Sequence, residues 1–228
     1  MDTTAAPDEA ILPPRPMRVF ILSDHSMVRQ GLKDLLEHHG FEVVGESGSA
    51  TEATCLIPIL HPDLALLDDR LPDGTGIEVC RGLRSTAPGV ESLILTSWDQ
   101  QHAVRAAVLA GASGYLLKQV GDTRELVKNI RSAAEGYPLI GSTVRDRVAA
   151  NLHATASASW LDAMTQSERA VLALMAKGLT NRQIGGEMAL AEDAVAGYVS
   201  SVLLKLGFRR RTPQIPVPIP RAWELLGG

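Results

Sequence analysis

An α/β doubly wound five-stranded parallel sheet followed by a small all-α helix-turn-helix domain is the fold this sequence predicts. Three observations carry that expectation. Five short apolar runs alternate with stretches of helical periodicity from Arg18 onward, and repeated strand–helix alternation argues for a parallel sheet covered by helices on both faces. Beyond residue 160 only short helical patterns remain, joined by tight turns. The charge also changes sign: residues 1–159 carry 14 Lys and Arg against 20 Asp and Glu, whereas residues 160–228 carry 8 against 6. With 228 residues and a net charge of −4, the chain suits two small domains and does not bind polyanions by overall charge. Any nucleic-acid contact belongs to the mildly basic second part.

The elements follow in order. Residues 1–17, "MDTTAAPDEAILPPRPM", are Pro-rich and acidic and lack the basic start of a signal peptide, so they read as a disordered leader. Residues 18–137 form the first domain. Its strands are expected at "RVFIL" (18–22), "FEVVGES" (41–47), "LALLD" (64–68), "SLILT" (92–96) and "GYLLK" (114–118). Segments such as "SMVRQGLKDLLEHHG" and "DQQHAVRAAVLAGA" lie between them, with apolar residues at i, i+3, i+4 and i+7. The last helix spans 122–136, with Asp122 as N-cap and Gly136 just past its end. Residues 138–160 read as a linker, partly helical from about Ser142 to Leu152. Residues 161–212 hold three short helical patterns, the first opening with Thr165 and Glu168 in capping-box spacing. Residues 213–228 are a Pro-rich tail in which Pro213, Pro216, Pro218 and Pro220 preclude a continuous helix.

Cys55 and Cys80 have no metal-type spacing and are expected to be small buried hydrophobes in a reducing cytosol. No run approaches the roughly 18 apolar residues of a membrane span. A cytoplasmic protein without membrane contact is the expectation.

Functional groups of a doubly wound sheet gather beyond the carboxyl ends of its strands. Those ends carry Ser23 and Asp24, Asp68 and Asp69, Thr96 and Ser97, and Lys118. Paired carboxylates with a backbone carbonyl form a hard oxygen site suited to Mg²⁺. One carboxylate can attack a phosphoryl group while a lysine offsets the charge on the transferring oxygens. Each residue also has a plainer reading: Asp24 as a helix cap, Thr96 as a strand residue, Lys118 as a solvated end, "LPDG" (71–74) as a turn. Their joint placement on correctly ordered strand ends favours the chemical reading.

"LLDDRLPDGTGIEVCRGLRS", "LILTS", "LAGASGYLLK", "LTNRQI" and "YVSSVLLKLG" resemble the NarL/FixJ-type two-component response regulators, over roughly residues 18–212. The resemblance implies a receiver domain in which Asp68 accepts a phosphoryl group from a cognate histidine kinase. It implies Mg²⁺ held by Asp24, Asp68 and the backbone carbonyl of Arg70, with Thr96 and Lys118 on the phosphoryl group and Tyr115 coupled to Thr96 in the switch. Homodimerisation on activation is a further implication. The family has two adjacent acids after the first strand, where this chain has Ser23 and Asp24, and one missing charge weakens a Mg²⁺ site. Asp69 stands where the family is usually apolar.

The second domain resembles a LuxR-type DNA-binding unit. In "ALAEDAVAGYVSSVLLKLG" (189–207), Val195, Val199, Val202, Leu203 and Leu206 form one apolar stripe. The opposite face carries Asp193, Ala196, Gly197, Ser200 and Leu204. Where one regulator of the kind it resembles has the pattern Lys-Thr-Val-Lys-Asn, this helix begins Asp193, Ala194, Val195, Ala196, Gly197. Base and phosphate contacts demand donors and positive charge, so most of the reading chemistry is missing. Gly185, Gly186 and Gly197 are expected to cost about 1 kcal/mol each relative to Ala in a helix interior. Arg182, Ser200, Lys205, Arg209, Arg210 and Arg211 are the residues expected to meet DNA. The leading expectation is a phosphorylation-controlled, DNA-binding transcription regulator and not an enzyme. A response regulator whose output has lost specific DNA binding and works through protein contacts stays open, as does a metal-dependent phosphohydrolase on the same fold.

Overall fold

A computed structural model describes residues 15–97, 100–118, 123–154 and 159–208. Most of the leader, the 213–228 tail, Asp122 and Arg209 to Arg211 lie outside the described residues. The strands are β1 (Arg18–Leu22), β2 (Glu42–Ser47), β3 (Leu64–Asp68), β4 (Glu91–Thr96) and β5 (Gly114–Leu117). The helices are α1 (Ser26–His38), α2 (Ala50–Leu60), α3 (Gly76–Thr86), α4 (Gln100–Ala110), α5 (Thr123–Ala134), α6 (Ser142–Ala154), α7 (Ser159–Asp162), α8 (Gln166–Ala176), α9 (Asn181–Met188) and α10 (Glu192–Lys205). All strands pair in parallel, in the order β2-β1-β3-β4-β5. Order reverses between β1 and β3, so the crevice for a ligand opens at their carboxyl ends.

Strand alternation builds the two layers. Val19, Ile21, Leu64, Leu66, Leu93 and Leu95 pack on one face with Leu36 of α1 and Val127 and Ile130 of α5. Phe20, Leu22, Ala65, Leu67 and Ile94 face the other way, against Ile57 of α2, Ile77 and Leu83 of α3, and Leu109 of α4. Burying each such side chain contributes about 1.5–3 kcal/mol relative to exposing it. The second core continues into the C-terminal helices through Val171, Met175, Ile184, Val195 and Val199.

Local chemistry sets the helix ends. Thr165 with Glu168 and Thr180 with Gln183 form capping boxes at α8 and α9. Gly136, at φ +84°, closes α5 with Gly136 N–H donating to Ala133 O and Tyr137 N–H to Ser132 O. Asp73 binds Ser49 Oγ and the backbone N–H groups of Ala50 and Thr51, tying the β3–α3 loop to the start of α2. Burial raises the Asp73 carboxyl, but those donors outweigh it and hold the group far below the usual carboxylate range. The "LPDG" turn therefore anchors a helix as well as reversing the chain.

Two expectations need correction. Cys80 is buried, but Cys55 is exposed on α2, because its position falls on the solvent side of that helix. Gly185 is a packing residue and not merely a cost: a Cβ there would meet Leu190 O at 2.6 Å, where the chain leaves α9 through left-handed Ala189. Gly186 and Gly197 face open space.

Candidate functional site

At the switch point, side chains from four strand ends converge. Asp68 ends β3 and is 1% exposed. Its Oδ2 accepts a hydrogen bond from Ser23 Oγ at 2.9 Å, and its Oδ1 accepts from Lys118 Nζ, which follows β5. Asp24 follows β1 and sits beside His25, with 3.0 Å between Asp24 Oδ1 and His25 Nδ1. Ligand atoms of Asp24, His25 and Asp68 all lie within 4.8 Å of one another. Two carboxylates supply the hard oxygens that Mg²⁺ takes, so the donor set fits that ion, with one anionic ligand fewer because Ser23 brings a hydroxyl.

Asp69 does not join that group; it turns toward Thr96. Thr96 Oγ1 donates to Asp69 Oδ2 at 3.0 Å, Lys118 Nζ lies 3.6 Å from Asp69 Oδ1, and Arg70 Nε lies 3.8 Å from Asp69 Oδ2. Asp69 is 1% exposed, and Asp69 N–H donates to Leu95 O at 2.9 Å. Burial, with the neighbouring Asp68, pushes its carboxyl up to about 6, against the opposing pull of Lys118 and Thr96. Tyr115 is half-buried and paired in register with Ile94, on the face that carries Thr96. The fold thus brings Asp24, Asp68, Thr96 and Lys118 to one sheet edge, with Tyr115 further down the adjoining strand. Gly76 lies so close that a Cβ there would meet Asp68 O at 2.3 Å, which fixes the start of α3 against the acceptor strand.

The output helix is built as its stripe dictates. Val195, Val199, Val202, Leu203 and Leu206 are all buried, while Asp193, Ala194, Ala196, Gly197 and Leu204 are exposed. Arg182 is exposed and lies 3.3 Å from Glu192. Lys205 has an internal occupation: its Nζ donates to Glu168 Oε2 at 2.6 Å, and Ser201 Oγ donates to Glu168 Oε1 at 2.5 Å. Those two donors, with the Thr165 N–H, hold the Glu168 carboxyl down at about 2. Ser200 is turned inward as well, donating to Glu78 Oε1 on α3. The expected DNA contacts Ser200 and Lys205 are therefore engaged within the chain in this conformation.

Sequence reasoning passed over the residues that join the two parts. Arg81 on α3 is 1% exposed. It donates through Nε to Asn181 Oδ1 at 3.0 Å, through Nη1 to Leu109 O at 2.7 Å and through Nη2 to Leu179 O at 2.9 Å. Arg84 Nη2 donates to Gly178 O at 2.8 Å. Burial, and then the charge of Arg84, lowers the Arg81 guanidinium to about 10. The available signal was its position: Arg81 follows Ile77 by four residues, on the apolar side of α3. A charged group there demands partners from whatever covers that side.

A phosphoacceptor-type carboxylate cluster on a doubly wound sheet, joined to a capped helix-turn-helix, defines the class: a receiver domain with a helical output domain. Residues 19–131 match the response regulator receiver domain family, and residues 162–215 match the luxR family of bacterial regulatory proteins. The chain is 44% identical to the DNA-binding transcriptional activator DevR/DosR of Mycobacterium tuberculosis, over 86% of this chain and 91% of that protein. It is 33% identical to the nitrate/nitrite response regulator protein NarP of Escherichia coli, over 86% of this chain and 91% of that one. A crystal structure of a LuxR-family two-component response regulator from Aurantimonas sp. SI85-9A1 superposes with a TM-score of 0.52 at 32% identity, covering 60% of this chain and 97% of the other. The protein belongs to the two-component response regulators that join a receiver to a LuxR-type DNA-binding domain.

Proposed function

We propose that Asp68 accepts a phosphoryl group from a cognate histidine kinase and that this event controls transcription through α10. The observation that carries the reading is Asp68 itself, buried at the switch point and bonded to Lys118. In the transfer, one Asp68 oxygen attacks phosphorus, a P–O bond forms, and the bond from phosphorus to the donor's leaving group breaks. Lys118 offsets the charge that collects on the transferring oxygens. Mg²⁺, held by Asp24, Asp68 and the backbone carbonyl of Arg70, would neutralise the phosphoryl oxygens. Thr96 and Tyr115 would relay the change.

The domain division at 18–137, a linker at 138–160 and an output domain at 161–212 is proposed with it. The joint is supported by the grip of Arg81 and Arg84 on the α8–α9 turn. Ser200 meets Glu78, so part of the α10 face lies against the receiver and must leave it before entering a groove. Arg182, Ser200, Lys205, Arg209, Arg210 and Arg211 are the proposed DNA contacts, in a homodimer formed on activation. A cytoplasmic site of action is proposed with it; no described helix is long and apolar enough to cross a membrane. The relatives named above are described as regulators, and nothing in the comparisons favours an output that works through protein contacts alone.

Incubating the full chain with acetyl phosphate and Mg²⁺ should add one phosphoryl group by intact mass, and Asp68→Asn should abolish it. Undiminished phosphorylation of that variant would overturn the assignment.

A further inference from the structure

The Asp69 side chain has no part in the reading above, and its placement follows from strand geometry. Asp68 pairs in register with Leu95, so the next residue along β3 lies beside Thr96. Alternation puts Asp69 on the side of the sheet that carries Ala65 and Leu67, and Thr96 on the side that carries Ile94, which is the same side. Two lateral neighbours on one face meet, and they do so as a 3.0 Å hydrogen bond from Thr96 Oγ1 to Asp69 Oδ2. The Lys118 ammonium reaches both carboxylates, bonded to Asp68 and 3.6 Å from Asp69 Oδ1. The hydroxyl and the ammonium placed to receive a phosphoryl group thus already serve a buried anion.

We propose that Asp69 is a resident anion that occupies the phosphoryl-recognition groups of this receiver, so that phosphorylation of Asp68 has to displace it. A phosphoryl group brings about −1.5 to −2 charges and three acceptor oxygens to Asp68. Thr96 cannot donate its single proton to Asp69 and to a phosphoryl oxygen at once. Lys118 cannot offset both anions fully, and two anions at this range repel each other. Asp69 therefore keeps the phosphorylated state sparse and short-lived, and it holds Thr96 in a bonded position before any phosphoryl group arrives. It acts as a positioning residue through Thr96 and Lys118, not as a nucleophile.

This inference rests on Asp68 as the acceptor, and the test separates the two. The full chain and its Asp69→Asn, Asp69→Val, Asp69→Glu and Asp68→Asn variants are incubated with acetyl phosphate and Mg²⁺. Extent is read by intact mass, and decay is followed after the phosphodonor is removed. Asp69→Asn and Asp69→Val should raise the extent or the lifetime by about tenfold, the scale expected for removing one like charge at this range. Asp69→Glu, which keeps the charge, should stay close to the natural protein. Thr96→Ala should shorten the lifetime in both backgrounds, and by a severalfold larger factor in Asp69→Asn, where its hydroxyl is free for the phosphoryl group. That coupling belongs to displacement, and a merely structural role for Asp69 would not produce it.

Equal extent and lifetime in the natural chain and in Asp69→Asn, with Asp68→Asn inert, would overturn the inference and leave the acceptor assignment standing. Asp69→Asn taking up no phosphoryl group would overturn the inference alone, and phosphorylation persisting in Asp68→Asn would overturn both.

Discussion

The acidic crevice above β1, β3, β4 and β5 and the exposed face of α10 depart from their family pattern in opposite ways. In the crevice, Ser23 stands where the resemblance implies an acid and Asp69 where it implies an apolar residue, and both side chains are buried and hydrogen-bonded. On α10, Asp193, Ala196 and Gly197 offer no cation or amide where the resemblance implies groups suited to DNA, and the surrounding fold takes no notice of them because they face solvent. The lesson is about burial. A polar change inside the protein must find a partner, so the structure reveals what it does. A polar change on the surface needs none, and only a ligand would reveal its effect.

The strongest way to break this comparison is to separate the two regions. Arg81→Met should leave Leu109 O, Leu179 O and Asn181 Oδ1 without their guanidinium donor. Each stranded buried group costs about 1–3 kcal/mol. Denaturant unfolding should show the loss, and limited proteolysis that separates the two parts should become faster. Unchanged stability and cleavage would mean that the two parts are not held through α3.

The second test compares acid sensitivity. Asp73 in the receiver and Glu168 in the output domain are both held below their ordinary carboxyl values, Glu168 at about 2. A group whose folded pKa is depressed adds stability above its unfolded value, near 4.5 for Glu168, and loses it as pH falls toward 2. Glu168→Gln should flatten the pH dependence of unfolding across that window and release Lys205. A profile unchanged between about pH 5 and pH 2 would remove the Lys205 pair as its cause.

Third, the surface departure can be reversed. Asp193→Lys, Ala196→Lys and Gly197→Asn together restore two cations and an amide on exposed positions. The triple variant should bind duplex DNA more tightly, with a log K against log salt slope steeper by roughly two units at about 0.9 per new phosphate contact. The natural protein should bind more weakly than the variant and with the shallower salt slope. Nanomolar, sequence-selective binding by the natural protein at physiological salt would show that other residues, such as Arg209 to Arg211, supply the contacts.

The smallest effect is expected at the metal site. Ser23→Asp adds a ligand charge beside Asp24 and Asp68 and should tighten Mg²⁺ severalfold in calorimetry, since ligand charge is a main lever on hard-cation affinity. It also removes the hydroxyl that donates to Asp68 Oδ2, so an unchanged affinity would mean that the lost hydrogen bond offsets the added charge.

What the sequence determined by itself is everything that rests on periodicity and local chemistry. The five strands lie within a residue of their expected bounds, the stripe from Val195 to Leu206 is buried throughout, and Thr165 with Glu168 forms its capping box. Those features depend on neighbours within a few positions along the chain; the residues at the strand ends are legible in the same way, but their meeting at one edge follows from the sheet order. What only tertiary structure decided involves pairs far apart in the sequence. Arg81 reaches Asn181, Ser200 reaches Glu78, Lys205 reaches Glu168, and Gly185 makes room for the Leu190 carbonyl once α9 has ended. Asp69 lies between these cases: alternation along β3 sets its side of the sheet, but only the register of β3 on β4 brings Thr96 alongside it. Register and domain packing arise from the simultaneous burial of many side chains, and no short stretch of sequence contains that sum.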